Sequence, residues 1–217
     1  MLTLAFIIVA LAGYLLGSIP TGFLVAKAKG VDIRTVGSKN MGATNVFRVL
    51  GKGPGILVLL VDALKGSAAV LFARYFVVNV IVVTDCGECF WNQDLAITLG
   101  GFCSILGHNY TCWLAFKGGK GIATSAGVYL TLAPLACLIA LAAWILAFVV
   151  TRYVSIASIV AAVALPTAVL LMQTNAALSV VTLIIGGLAI YKHKANIQRL
   201  IAGTENRFHF KKPKAES

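Results

Sequence analysis

The chain has 217 residues, 59% hydrophobic and only 12% charged, against about 45–50% apolar and about 25% charged in an ordinary soluble domain, so a soluble globular class is excluded. Its 18 Lys and Arg against 7 Asp and Glu give a formal charge of +11; on a soluble domain that excess would point to nucleic acid. Here uncharged runs of membrane-spanning length fill most of the chain, which makes nucleic acid an unexpected partner and an all-α polytopic integral membrane protein the expected class.

Only Met1, Leu2 and Thr3 precede the first apolar stretch, so the basic start of a secretory signal peptide is missing and residues 2–24 read as a retained first span. A polar loop follows from Lys27 to Lys52. Within it Gly37, Ser38, Asn40, Gly42, Thr44 and Asn45 combine turning backbone with short hydroxyl and amide side chains, flanked by Lys39 and Arg48. Such turns form anion-binding concavities, and an adjacent Arg grips a phosphate through two N–H groups. On composition alone, a flexible basic connector accounts for the loop equally well.

The second span, 54–77, contains Asp62 and Lys65 three residues apart on one helix face. Lone charges are expensive in lipid, so the two are expected to pair or to face a polar interior, as a structural clamp or against a substrate. An outer segment, about 84–94, then carries Cys86-Gly-Glu-Cys89. That spacing suits a disulfide or two inert thiols better than zinc, for which further ligands are lacking. Cys103, Cys112 and Cys137 fall in apolar stretches and read as small buried side chains.

The third span, 95–112, ends near His108, and Lys117-Gly-Gly-Lys120-Gly121 leads into the fourth. Backbone donors and a lysine at a helix start suit a phosphate oxygen. No G-x-x-x-x-G-K-[ST] string occurs, which disfavours an ATPase. The uncharged run 121–151 would be ~46 Å long as one helix and the run 153–191 ~58 Å, against a hydrocarbon core of ~30 Å. Pro134 and Gln173-Thr174-Asn175 divide them into spans at 121–133, 135–151, 154–172 and 176–192. His193 follows the last span. Neither His108 nor His193 begins an H-x4-D pair, and each reads either as a hydrogen-bonded interfacial residue or as a base.

With seven spans, 16 of the 18 Lys and Arg fall on one side, leaving only Lys65 and Arg74 within a span. The positive-inside rule then places the N-terminus outside and the C-terminus in the cytoplasm.

These segments together resemble the bacterial acyl-phosphate glycerol-3-phosphate acyltransferases, the PlsY family. The matching residues are Gly17 to Pro20, Gly37 to Asn45 with Arg48, Asp62 to Gly66, Gly107-His108, Lys117 to Thr124, Arg152 to Ser158, and His193 with Asn196, Arg199, Leu200, Gly203 and Glu205. The resemblance implies acyl transfer from a fatty acyl phosphate to the 1-hydroxyl of glycerol 3-phosphate, giving lysophosphatidic acid and phosphate, the first step of phospholipid synthesis. It also implies one transmembrane domain over 1–217, with cytoplasmic loops at about 27–53, 113–121, 152–158 and 192–217. The expected setting is the bacterial inner membrane, as a monomer with no cofactor or metal. By the resemblance, Ser38, Asn40, Thr44, Asn45, Ser155 and Asn196 bind the substrates, and Arg48, Lys120 and His193 are catalytic; the outer insertion has no family role. A transporter for an anionic metabolite is the competing class, but the chain has no internal repeat and gathers its charges at one face. A membrane scaffold held by Lys211, Lys212 and Lys214 leaves the two glycine-rich loops unexplained.

Overall fold

In a bilayer a backbone N–H or C=O without an internal partner is costly, so an apolar chain of this kind resolves into helices. The computed structural model describes residues 2–81, 89–172 and 174–208, and every regular element among them is helical. The elements are α1 (Leu2–Ser18), α2 (Thr21–Lys27), α3 (Ala43–Leu50), α4 (Lys52–Phe76), α5 (Cys89–Asn109), α6 (Ile122–Leu132), α7 (Pro134–Thr151), α8 (Val154–Leu171), α9 (Ala176–Lys192) and α10 (Lys194–Ile201). A π turn, Val77–Ile81, prolongs α4, and a 3-10 turn, Cys112–Leu114, follows α5. The side chains of the Cys86–Cys89 pair, Gln173 and the basic tail beyond residue 208 lie outside the described residues.

By length and composition Thr3–Lys27, Lys52–Asn79, Pro134–Thr151 and Val154–Leu171 can each cross a membrane, and α9 with α10, bent by 50°, makes a fifth candidate. Each of the seven expected spans coincides with a helix, with two departures. The first is broken at Ile19-Pro20, because Pro20 has no N–H to carry the α1 ladder into α2. The third begins earlier, at Cys89, so the C-terminal part of the expected outer loop is helical. Pro134 starts α7 at a position where its missing N–H costs nothing. Asn175 caps α9 by accepting from the Leu178 N–H at 2.8 Å. Eleven residues make α6 only ~16 Å long.

Helices in lipid associate mainly through close packing, which favours small residues at contacts. Gly13 and Gly17 of α1 lie against the backbone of Gly100 and Ser104 of α5, and Gly107 lies against Tyr14 and Ser18; a Cβ at any of them would overlap those atoms. Gly66 of α4 against Thr124, and Gly127 of α6 against Ala63, repeat the arrangement. Leu60, Leu64, Leu146 and Val150 point outward, as a lipid-facing surface requires.

The break between α1 and α2 frees carbonyls in this buried interior, and side chains distant in sequence supply donors. Thr111 Oγ1 donates to the Ser18 carbonyl at 2.6 Å, and Lys65 Nζ donates to that of Ile19 at 2.8 Å. The same ammonium lies 2.7 Å from Asp62 Oδ1, with both side chains almost fully buried. Of the two roles expected for the Asp62–Lys65 pair, Lys65 therefore fills the clamp. Lys65→Met should destabilise the protein by about 3–5 kcal/mol, since it strands the Asp62 carboxylate. Thermal unfolding in detergent should show a lowered midpoint for Lys65→Met, partly restored by adding Asp62→Asn; an unchanged midpoint would remove the clamp.

Candidate active site

The loop between α2 and α3 is folded around one amide. Asn45 Nδ2 donates to the carbonyls of Ile33, Val36 and Asn40 at 3.2, 3.1 and 2.9 Å, and its Oδ1 accepts from the Ser38 N–H at 2.8 Å. Gly37 adopts φ +59, and a Cβ there would collide with Asn45 Oδ1, so the turn needs glycine. Asn40 Oδ1 in turn accepts from the Gly42 N–H at 2.9 Å. Asn45 thus spends its hydrogen-bonding groups on the loop, which presents Ser38 and Asn40 beside Thr44 and Arg48 of α3 along one wall of a cavity.

The glycine-rich loop before α6 rests on the end of α5. The Gly119 N–H donates to the His108 carbonyl at 2.9 Å and the Gly118 N–H to that of Asn109 at 3.2 Å, where Lys192 Nζ also donates at 2.9 Å. Gly121 takes a left-handed φ of +81 to start α6. Between them Lys120 reaches into the cavity and hydrogen-bonds Asn196 Oδ1. Burial lowers the Lys120 ammonium to about 8; Glu205 opposes the shift, and Arg199, Arg48 and Lys192 add to it.

A third wall comes from α10 and the strand of chain after it. Asn196 Nδ2 donates to Glu205 Oε1 at 2.7 Å, and Arg199 Nε lies 2.7 Å from Oε2. Burial would raise the Glu205 carboxyl, but the hydrogen bonds from Asn196 and Arg199 outweigh it and hold the pKa below the usual value. His193, just past α9, pairs its Nδ1 with the Ala189 carbonyl at 2.7 Å. A carbonyl only accepts, so Nδ1 carries the hydrogen and Nε2 keeps its lone pair. Burial and the Lys120 charge hold the imidazolium pKa to about 4. Ser155, at the start of α8, is buried facing Glu205, and its hydroxyl has no partner of hydrogen-bonding geometry. Downstream the Phe208 N–H donates to the Arg152 carbonyl at 2.8 Å, fastening the chain across the ends of α7 and α8.

All nine expected residues, Ser38, Asn40, Thr44, Asn45, Arg48, Lys120, Ser155, His193 and Asn196, border one cavity of about 340 Å³. Its other half is apolar, with Leu59, Tyr129, Cys137, Leu141, Trp144 and Leu165 among its walls. Glu205, Asp62, His108, Ser125 and Ser158 are further polar residues that border it. Glu205 is the one acid between Lys192 and Arg207, a signal legible in the sequence. The placement of His108 beside Asp62, at 3.7 Å, is tertiary and had no such signal. Among the described residues no group of three or more His, Cys, Asp or Glu is arranged to hold a metal ion.

Comparison with known proteins agrees with this geometry. The family described as glycerol-3-phosphate acyltransferase matches residues 7–203. A glycerol-3-phosphate acyltransferase of Geotalea daltonii is 47% identical over 93% of this chain and 97% of its own length, and one of Geobacter metallireducens is 52% identical over the same shares. Among solved structures, PlsY, an integral membrane glycerol 3-phosphate acyltransferase, superposes in its glycerol 3-phosphate form with a TM-score of 0.83 at 39% identity, covering 94% of this chain and 96% of that one. Its lysophosphatidic acid form gives 0.80 at 38% identity, covering 94% and 95%. The chain belongs to the PlsY family of glycerol-3-phosphate acyltransferases.

The first wall of the cavity has a direct test. Asn45→Asp keeps the acceptor for Ser38 but removes the donor to three carbonyls, each lost hydrogen bond contributing about 0.5–1.5 kcal/mol. Limited trypsin digestion should then cleave after Arg34 or Lys39 in a protein whose helices remain intact, whereas an uncleaved variant would show that the loop is held by something else.

Proposed function

We propose that this member of the family transfers a fatty acyl group from an acyl phosphate to the 1-hydroxyl of glycerol 3-phosphate, releasing lysophosphatidic acid and phosphate. The observation that carries the reading is the two-sided cavity, cationic at one end and apolar at the other. An acyl phosphate has the same polarity: an anionic headgroup on a chain that belongs in lipid. The glycerol 3-phosphate form of the PlsY neighbour supports the acceptor, and its lysophosphatidic acid form supports the product.

An acyl phosphate is a mixed anhydride with a good leaving group, so no acyl-enzyme is needed. Positioning and charge neutralisation carry the step. Arg48 and Lys120 neutralise phosphate oxygens, and each charge-assisted hydrogen bond made only in the transition state is worth about 1.5–3 kcal/mol. Ser38, Asn40, Thr44, Ser155 and Asn196 orient the two phosphates and the glycerol, while Asn45 acts through the loop it holds. The hydroxyl oxygen forms the new bond to the acyl carbon as the bond from that carbon to the phosphate oxygen breaks. His193 Nε2 accepts the glycerol hydroxyl's hydrogen bond. With a pKa of about 4, His193 is a weak base at neutral pH, so the proton goes to the departing phosphate.

The wider setting rests on the family likeness, and its orientation on the charge map. Seven helices span the bacterial inner membrane, with the N-terminus outside, the C-terminus in the cytoplasm and the phosphate end of the cavity at the cytoplasmic face. The catalytic unit is the single chain 1–217, a monomer that uses no cofactor or metal, with the loops at 27–53, 113–121, 152–158 and 192–217 on that face.

Purified protein given palmitoyl phosphate and labelled glycerol 3-phosphate should release labelled lysophosphatidic acid and one phosphate per turnover. Product formed only with acyl-CoA or acyl carrier protein would overturn the donor. Because the cation of Lys120 is what binds, kcat/KM for glycerol 3-phosphate should be full below about pH 8 and fall as pH rises through that value. Lys120→Arg should abolish that fall; a basic limb at the same pH in the arginine variant would assign it to another group.

A further inference from the structure

His108 borders the cavity, yet none of the chemistry above uses it. It is 3% exposed and is the penultimate residue of α5. Its carbonyl accepts from Gly119, and its ring lies so close to the Gly119 Cα that a Cβ there would overlap Nε2, Cε1 and Cδ2. On the other side of the ring, Nδ1 faces Asp62 Oδ1 at 3.7 Å, and Asp62 is anchored by Lys65 at 2.7 Å. The imidazole is therefore wedged between a fixed carboxylate on α4 and the backbone one residue before Lys120.

That backbone has few other supports. Both neighbours of Lys120 are glycines without side chains to pack. Gly121 rests against the Asn109 amide, where a Cβ would come within 2.8 Å of Oδ1. Asp62 Oδ1 is taken by the Lys65 ammonium at 2.7 Å, whereas His108 Nδ1, buried beside it at 3.7 Å, has no hydrogen bond of good geometry. A buried ring nitrogen kept in that state calls for an explanation.

We propose that His108, braced by Asp62, is a positioning residue that sets the Gly119-Lys120 backbone and so the reach of the Lys120 ammonium toward phosphate. The inference rests on the reading of Lys120 as a phosphate ligand. His108→Gln should lower kcat/KM for glycerol 3-phosphate by about 10- to 100-fold, the size expected for a group that orients a ligand from behind. The loss should lie mainly in KM, with the thermal midpoint in detergent shifted by no more than about 3 °C.

The discriminating measurement is a double-mutant cycle on whichever acyl donor supports wild-type turnover. If His108 acts through Lys120, His108→Gln should cost less than about 3-fold when added to Lys120→Met, because residues acting as a unit are non-additive. A second full drop of about 10-fold in that background, or a single variant within about twofold of wild type, overturns the proposal. Lys120→Met at wild-type activity would instead overturn the phosphate-ligand reading itself, and the proposal with it. Should His108→Gln fail to fold, Gly119→Ala decides the matter: its methyl group pushes on the His108 ring, so KM for glycerol 3-phosphate should rise about 10-fold or more with the thermal midpoint kept, and an unchanged KM refutes the proposal.

Discussion

A helix that stops within the packed bundle leaves end carbonyls without an intrahelical partner, and each buried one needs a donor from outside its helix. The α1 end takes Thr111 and Lys65; the α5 end takes the N–H groups of Gly118 and Gly119 and the ammonium of Lys192; the last turn of α9 takes His193 Nδ1. Several of these donors stand at or next to the residues that border the polar half of the cavity. The site is therefore where the bundle's interrupted backbones are satisfied, and the demand that places Gly119 also places Lys120. The tautomer of His193 has the same origin, since the Ala189 carbonyl takes its one ring hydrogen.

The charge balance at that end favours an anion. Arg48, Lys120, Arg199 and Lys192 influence one another electrostatically around one carboxylate, Glu205. Glu205 is committed to Asn196 and Arg199, so it fixes the amide that meets Lys120 and offsets only part of the positive charge. Packing cations together and burying them works against folding, and it lowers the Lys120 ammonium pKa to about 8. A phosphate entering this space finds preorganised cations whose mutual repulsion it relieves.

Helix positions were largely legible in the sequence because lipid demands long uncharged runs, and Pro134 and Asn175 mark breaks by their own backbone chemistry. The broken first span was less legible: Gly17-Ser-Ile-Pro20 lies in an uncharged run, and the donors on Thr111 and Lys65 that help make the break tolerable are distant in sequence. The site loops were visible as glycine-rich segments with small polar side chains. Their internal division of labour was not. Asn45 and Asn40 look alike in the sequence, but Asn45 bridges three carbonyls of its own loop, a contact set that depends on how residues 28–42 fold back. Asp62 and Lys65 were visible as a pair, while their third member, His108, comes from another helix 46 residues after Asp62.

The cavity's division into cationic and apolar halves follows from where the helices end. Its polar wall is made of loops and helix termini, where backbone N–H groups and long cationic side chains are available. Its apolar wall is made of the middle turns of α7 and α8, where Leu141, Trp144 and Leu165 sit between lipid and core. In the proposed reaction an acyl phosphate bound across that boundary would keep its chain among apolar groups while its headgroup meets Lys120 and Arg48, so neither part would have to leave its preferred surroundings. On the proposed chemistry the reacting carbonyl is the atom at which chain and phosphate join. The boundary between the two walls thus locates the reaction centre, and the short α6, which starts beside Lys120 and carries Tyr129 into the apolar half, runs from one wall to the other.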